Sequence, residues 1–140
     1  MATEHCKNCN PDQSCGDGHL YIIEFKKDVE VELKNKSVKG YLYVGSTNKS
    51  VEERFEDNFI KIDGSWKYNS PNTKRIRKYF LKFRPDLFYY EKNPIVYDKN
   101  DKKKLERHEA KLADKLRNRE WRVFGQVGKK DNIFFCIFLL

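Results

Sequence analysis

The segment from residue 41 to residue 58, YLYVGSTNKSVEERFEDN, constrains the fold more than any other part of the chain. It opens with four aromatic or aliphatic residues between Gly40 and Gly45, which predicts a short strand that turns at Gly45. Ser50 and Glu53 have the spacing of a capping box, so a helix is predicted to begin near Val51. The segment therefore predicts a strand, a turn and a helix in quick succession.

The predicted helix carries an arginine on its apolar face. Residues at three- and four-residue steps share that face, and they are Val51, Arg54, Phe55, Asn58 and Phe59. The acids lie largely elsewhere, at Glu52, Glu53, Glu56 and Asp57. Two explanations of Arg54 are open: it pairs with a carboxylate of its own helix, or it serves a site that needs a fixed positive charge.

Residues 18–25, GHLYIIEF, form a second strand-like run. A connection through residues 29–33 is long enough for this run to pair antiparallel with the strand at residues 41–44. The sequence therefore predicts an antiparallel pair that brings Tyr21 and Tyr43 into one sheet.

A later helix is predicted over residues 105–116, LERHEAKLADKL. One face of it carries Leu105, His108, Glu109, Leu112, Ala113 and Leu116. Glu109 is the only acid of this helix that faces inward. A carboxylate on an apolar face is costly unless it is paired, protonated or bound to a metal, so either an internal ion pair or a metal site is predicted there.

Together these segments resemble the GIY-YIG nuclease superfamily over roughly residues 18–126. His19-Leu20-Tyr21 and Tyr43-Val44-Gly45 correspond to the two motif triplets, while Arg54 and Glu109 match the family's helix arginine and its lone metal-binding glutamate. His19 stands where the family has its first glycine, and Asn58 stands where a histidine is common.

The resemblance implies a metal-dependent endonuclease that hydrolyses DNA phosphodiester bonds. In it Glu109 would hold one Mg²⁺ or Mn²⁺, Arg54 would clamp the phosphate, and Tyr21 or Tyr43 would orient or deprotonate the attacking water. The alternative for either tyrosine is a packed strand aromatic. The implied fold is a small mixed α/β domain with a central antiparallel sheet flanked by helices.

A basic helix is predicted over residues 72–83, ending before Pro85. Its apolar face carries Ile76, Tyr79, Phe80 and Phe83. Its basic residues, predicted to be exposed, are Lys74, Arg75, Arg77, Lys78 and Lys82. With a formal net charge of +8, this surface suits duplex or branched DNA, although a merely solvated helix face remains the alternative.

Three cysteines cluster near the start of the chain, in CKNCNPDQSC. Cys6 and Cys9 have the two-residue separation of a zinc knuckle, Cys15 follows, and the fourth ligand could be His19, His5 or Cys136. Reduced or disulfide-bonded thiols are the alternative to structural Zn²⁺. A non-catalytic nucleic-acid-binding module with such a zinc site is the main alternative function, and a protein-interaction adaptor is a weaker one.

The chain is predicted to divide into three parts. Residues 1–17 form a polar, cysteine-containing extension, residues 18–126 the nuclease-like domain, and residues 127–140 an apolar strand or tail. Within the domain, residues 61–73 are predicted to form a loop, and residues 87–90, 94–97 and 121–124 to be strands or extended. With no signal peptide or membrane span predicted, an intracellular protein is expected, cytoplasmic or nucleoid-associated. The sequence does not predict an oligomeric state, and a protein partner remains open.

Overall fold

The computed structural model describes residues 3–10, 13–33, 39–88 and 92–125. A four-stranded sheet comprises β1 (His19–Phe25), β2 (Tyr41–Thr47), β5 (Phe80–Phe83) and β6 (Arg122–Phe124), in the order β5-β1-β2-β6. A separate hairpin comprises β3 (Lys61–Ile62) and β4 (Ser65–Trp66). The helices are α1 (Val51–Asp57), α2 (Pro71–Tyr79) and α3 (Lys104–Asn118), and short 3₁₀ turns cover Lys27–Glu32 and Pro85–Leu87.

The predicted mixed α/β class is confirmed, and so is the antiparallel pairing of β1 with β2. The sheet is mixed rather than purely antiparallel, because β6 pairs parallel to β2. A parallel neighbour needs a crossover connection, and α3 lies in the chain just before β6.

The predicted turn at Gly45 is wrong, because β2 continues through Gly45 to Thr47. Gly45 is paired with Tyr21 in the sheet. A Cβ atom at Gly45 would lie 2.4 Å from Cζ of Tyr21. Glycine is therefore needed here to admit the tyrosine ring, and not to turn the chain.

The helix predicted over residues 72–83 is shorter than expected, since α2 ends at Tyr79. Phe80 leaves the helical conformation, with φ −53° and ψ 127°, and residues 80–83 form β5 against β1. The rings of Phe80 and Phe83 both pack against Phe55 of α1, which gives these apolar residues a partner in the strand. Sheet pairing and aromatic packing thus override the helical periodicity.

The sheet has a core on each face. Helix α3 packs with Leu112, Ala113 and Leu116 against one face. The other face carries Tyr21 and Tyr43, and it packs against residues of α1 and α2. Side chains alternate across a strand, so neighbouring residues of β1 and β2 serve different cores.

Helix α1 begins at Val51 as predicted, with the Ser50 side chain accepting a hydrogen bond from the Glu53 amide. The expectation that Phe59 faces inward is wrong, since it is 44% exposed. Asp57, expected away from the core, is buried because Lys49 and Lys67 both bind its carboxylate.

The remaining predictions concern loops and extended segments, and some of them fall on residues that the structure does not describe. The loop predicted over residues 61–73 contains β3, β4 and the start of α2, and Leu87 lies in a 3₁₀ turn. In residues 94–97 only Ile95 makes an isolated bridge, to Gly18, whereas β6 confirms the strand at 121–124. Cys136, the 127–140 segment and residues 89–91 lie outside the described residues. Across the described ranges, no helix has the length and apolarity to cross a bilayer.

Candidate active site and Cys/His cluster

The two predicted tyrosines touch each other inside the domain. Tyr21 and Tyr43 are 2% and 7% exposed, and their ring centres lie 6.0 Å apart. Burial raises the pKa of both phenols. The hydrogen bond between their hydroxyls further raises the pKa of Tyr21 and lowers that of Tyr43, the pattern expected when Tyr21 donates to Tyr43.

Arg54 is held by neutral groups. Its guanidinium donates to Oδ1 of Asn58 at 3.1 Å and lies 4.5 Å from the centre of the Tyr68 ring. Among the described residues no carboxylate forms an ion pair with Arg54, so the predicted pairing with a helix acid is not found there. The arginine keeps a positive charge that its own surroundings do not neutralise.

Glu109 is buried, as its position on α3 predicts, with 6% of its surface exposed. The Ser46 hydroxyl donates to its carboxylate at 2.5 Å. Burial raises the pKa of Glu109 to about 7, an effect that the Ser46 hydrogen bond opposes and the charge of Glu106 supports. In the described part of the chain no lysine or arginine pairs with it, so neither the internal ion pair nor a pairing with Arg54 is found there.

Arg54 and Glu109 lie within electrostatic range of the two tyrosines, and they belong to helices on opposite faces of the sheet. The tyrosines lie on the face that packs against α1, while α3 approaches from the opposite face. Both tyrosines are near enough to be affected by two charges: Glu109 raises their pKa values and Arg54 lowers them. The site thus combines a buried carboxylate, an uncompensated cation and two linked phenols.

His108, predicted to share the inward face with Glu109, is exposed instead. Its position is one residue before Glu109, at the edge of the apolar stripe. Packing against the sheet buries Glu109, Leu112, Ala113 and Leu116 of this helix.

The Cys/His cluster, defined as Cys6, Cys9, Cys15 and His19, could hold a metal ion. Its ligand atoms all lie within 4.8 Å of one another. His19 Nε2 is 3.3 Å from Sγ of Cys9 and 3.4 Å from Sγ of Cys15, and the sulfurs of Cys6 and Cys15 are 4.0 Å apart. Tetrahedral Zn²⁺ places two thiolates about 3.8 Å apart and a thiolate and an imidazole nitrogen about 3.6 Å apart, so these distances fit. All three cysteines are free of disulfide bonds.

The surroundings of the cluster suit a bound cation. Burial, with the neighbouring thiols Cys15 and Cys6, raises the pKa of Cys9 to about 12, so its thiolate needs a positive partner. Burial also lowers the pKa of His19, which favours the neutral imidazole that coordinates metals. Backbone amides of Asn8 and Cys15 point at sulfurs of the cluster.

The segment that carries the cluster is attached to the domain through His19, His5 and Asn93. His19 is the first residue of β1, so the ligands span residue 17, where the extension was predicted to end. His5 Nδ1 lies 2.8 Å from a carboxylate oxygen of Glu52 in α1. The buried amide of Asn93 donates to the His5 carbonyl and bonds both backbone groups of Leu20.

The basic residues of α2 and β5 differ in their roles. Lys74, Lys78 and Lys82 are exposed, as predicted. Arg75 and Arg77 are partly buried and bind other groups of the protein, so the prediction that they are exposed is wrong. Arg75 pairs with Glu32, and Arg77 donates to the carbonyl oxygens of Asn58 and Tyr68.

Sequence reasoning missed Ser46 and Asn93, because their partners are distant in the chain. It also missed the β3–β4 hairpin, although Asp63-Gly64 is a strong signal for a two-residue turn. Both turn residues have positive φ, 50° and 81°.

Comparison of the chain with protein-family models, with curated proteins and with solved structures found no match.

Proposed function

We propose that this protein is a metal-dependent endonuclease that hydrolyses phosphodiester bonds of DNA. The proposal is supported by the position of Tyr21 and Tyr43, which both lie within electrostatic range of Arg54 and of Glu109. In the described chain neither Arg54 nor Glu109 forms an ion pair. A buried carboxylate such as Glu109 is ordinarily paired or bound to a metal. Arg54 can bind a phosphate beside the two phenols, and a bound cation would favour the ionised form of Glu109, whose pKa burial raises to about 7.

Mg²⁺ or Mn²⁺ is the proposed cation, held by Glu109. These ions bind one or two carboxylates and fill their remaining positions with water and substrate phosphate, and Glu109 offers one buried carboxylate. When bound, such a cation offsets the negative charge that develops on the phosphate and assists departure of the leaving oxygen.

The chain's own residues divide the remaining work. Arg54, oriented by Asn58 and Tyr68, binds a non-bridging phosphate oxygen and stabilises its growing charge. Ser46 fixes the rotamer of Glu109. Tyr21 donates to Tyr43, which leaves the Tyr43 proton free to point at the attacking water. Because burial keeps both phenols protonated near neutral pH, Tyr43 orients the water, and it removes a proton only where positive charge lowers its pKa.

The Cys/His cluster is proposed to bind one structural Zn²⁺. Four protein ligands close the coordination shell, which is typical of structural and not catalytic zinc. Metal analysis after purification without added zinc should find about one zinc per chain, and Cys9→Ser should lose it. A metal-free wild-type protein contradicts this assignment.

A cleavage assay on plasmid, branched and single-stranded DNA tests the nuclease proposal. Wild-type protein should cleave at least one substrate with Mg²⁺ and none without a divalent cation. Arg54→Gln should lower the rate by roughly 100-fold or more, as is typical when a charge-stabilising donor is removed. Tyr43→Phe should reduce the rate more than Tyr21→Phe, because only Tyr43 contacts the water. If the wild-type protein cleaves none of the three forms of DNA, the proposal is overturned.

The second candidate is a non-catalytic nucleic-acid-binding module with a structural zinc site. The Cys/His cluster and the exposed lysines of α2 favour it. It predicts DNA binding without cleavage, with affinity that falls steeply as salt rises.

A further inference from the structure

The β3–β4 hairpin presents an aromatic residue beside α2. Its tight turn at Asp63-Gly64 sets Lys61 opposite Trp66. Lys67, directly after the hairpin, donates its amide to the Ile60 carbonyl at 2.7 Å, and its ammonium group binds buried Asp57 at 3.2 Å. The hairpin is therefore fixed to α1.

Around the hairpin lies a surface that we call the Trp66 face. It comprises Phe59, Lys61, Trp66, Lys74, Arg77 and Lys78. Trp66 is 39% exposed and Phe59 is 44% exposed. Large aromatic rings are costly to leave in water, and here two of them share a surface with four cations.

The Trp66 ring is oriented by a fixed cation and covered by an exposed one. The Arg77 guanidinium lies 4.4 Å from the ring centre and is held by the carbonyl oxygens of Asn58 and Tyr68 at 2.8 and 2.9 Å. The Lys61 ammonium lies 4.6 Å from the same ring on an exposed side chain. A planar ligand can replace Lys61 on the ring, while Arg77 keeps the ring in place.

The Trp66 face is continuous with the candidate active site. Tyr68 carries the Arg54 guanidinium on its ring, and its carbonyl binds Arg77. Tyr68 thus links Arg54 to Trp66, because the Arg77 that its carbonyl holds lies on the Trp66 ring. Aromatic faces beside cations are the recurring means by which proteins hold single-stranded nucleic acid, since every base has a π-face and every linkage a charge.

We propose that the Trp66 face binds unpaired nucleotides of DNA, with a base stacked on Trp66 and backbone phosphates on Lys74 and Lys78. The inference rests on the proposed function in taking DNA as the substrate, and it adds that the substrate has an unpaired stretch beside the scissile phosphate. A regular duplex cannot supply the stacking contact, because its bases are already stacked on each other.

Oligonucleotide binding without added divalent cation tests this separately from cleavage. The background is Trp121→Phe, which leaves Trp66 as the single tryptophan of the chain. A single-stranded thymidine oligonucleotide should quench its fluorescence. Anisotropy of a labelled oligonucleotide gives the affinity of each variant. Trp66→Ala should weaken single-strand binding roughly 5- to 100-fold and leave duplex binding within about 2-fold of wild type. Trp66→Phe should restore most of the lost single-strand affinity.

Ile62→Ala is the matched control, because Ile62 lies in the same hairpin and is 55% exposed but has no ring. It should bind like wild type. Equal single-strand affinity of Trp66→Ala and wild type overturns the inference, and so does an equal loss on duplex and single strand. Single-strand binding that depends on Trp66, without cleavage of any DNA, overturns the nuclease proposal and supports the binding role of the Trp66 face. Failure of the nuclease proposal is therefore distinguished from failure of this inference.

Discussion

At the scale of single residues, Gly45 shows how closely the site is packed. A methyl group there would meet the Tyr21 ring at 2.4 Å, so Gly45→Ala must displace the ring or separate β1 from β2. We expect a loss of about 1–3 kcal/mol in the free energy of unfolding, the usual cost of overpacking a core. Denaturant unfolding of Gly45→Ala, Tyr21→Ala and the double variant measures it.

The double variant should recover part of that loss, because removing the ring makes room for the methyl group. Additive effects of the two single substitutions would contradict the close packing of Tyr21 on Gly45.

Glu109 makes a second residue-scale prediction, about pH. An ordinary glutamate titrates near 4.5, whereas burial raises the pKa of folded Glu109 to about 7. The folded state therefore holds this proton more tightly, so the stability it contributes is complete below pH 4.5 and is lost as pH rises through 7. Glutamine does not titrate. As pH rises across that range, the free energy of unfolding of Glu109→Gln should therefore increase relative to that of wild type, by up to about 3 kcal/mol.

Thermal unfolding of the two proteins between pH 5 and pH 8 measures the difference. Mn²⁺ added at pH 8 should raise the midpoint of wild type and leave that of Glu109→Gln unchanged, since the cation needs the ionised carboxylate. Parallel pH profiles for the two proteins would contradict a buried, titrating Glu109.

At the scale of elements, the segment that carries the Cys/His cluster joins the start of β1 to α1. His19 opens β1, and His5 binds Glu52 in the first turn of α1, the helix that carries Arg54. Removing one ligand should therefore loosen α1 as well as the cluster. We expect Cys9→Ala to lower the free energy of unfolding by more than about 3 kcal/mol, because loss of a structural metal is among the largest single-residue effects.

Hydrogen exchange of α1 measures the spread of this effect. Amides of residues 54–57 should lose protection in Cys9→Ala, while those of α3 lose less. Asn10→Ala lies in the same segment without a ligand atom in the cluster and serves as the control. Unchanged protection of α1 would mean that the cluster does not support Arg54.

Local elements were predictable from the sequence, and distant pairings were not. Ser50 and Glu53 fix the start of α1 through contacts three residues apart, which a sequence pattern records directly. Residues 80–83 read as helix, because the partners that make them a strand are Phe55 and β1, far away in the chain. Ser46 could not be predicted for the same reason, since its hydrogen bond to Glu109 forms only where β2 meets α3.

At the scale of the whole molecule, the candidate site depends on two helices that approach the sheet from opposite faces. Each member was predicted from the sequence: Tyr43 and Arg54 from one segment, and Glu109 from a helix 55 residues after Arg54. Their closeness follows from the β1–β2 register, which sets Tyr21 against Gly45, and from α3 packing over Ser46. The sequence leaves the fourth ligand of the Cys/His cluster open among His5, His19 and Cys136, and β1 sets His19 beside the three cysteines.

The proposed role of Glu109 as the metal-binding acid of a nuclease is tested most directly by the Mg²⁺-dependent cleavage rates of Glu109→Gln and Glu106→Gln, measured on the best wild-type substrate. The two glutamates lie on the same helix three residues apart, and only Glu109 is buried. We expect a loss of roughly 1000-fold or more in Glu109→Gln with DNA binding retained, and a rate within about 3-fold of wild type in Glu106→Gln. Equal rates in the two variants would contradict a metal-binding role of Glu109.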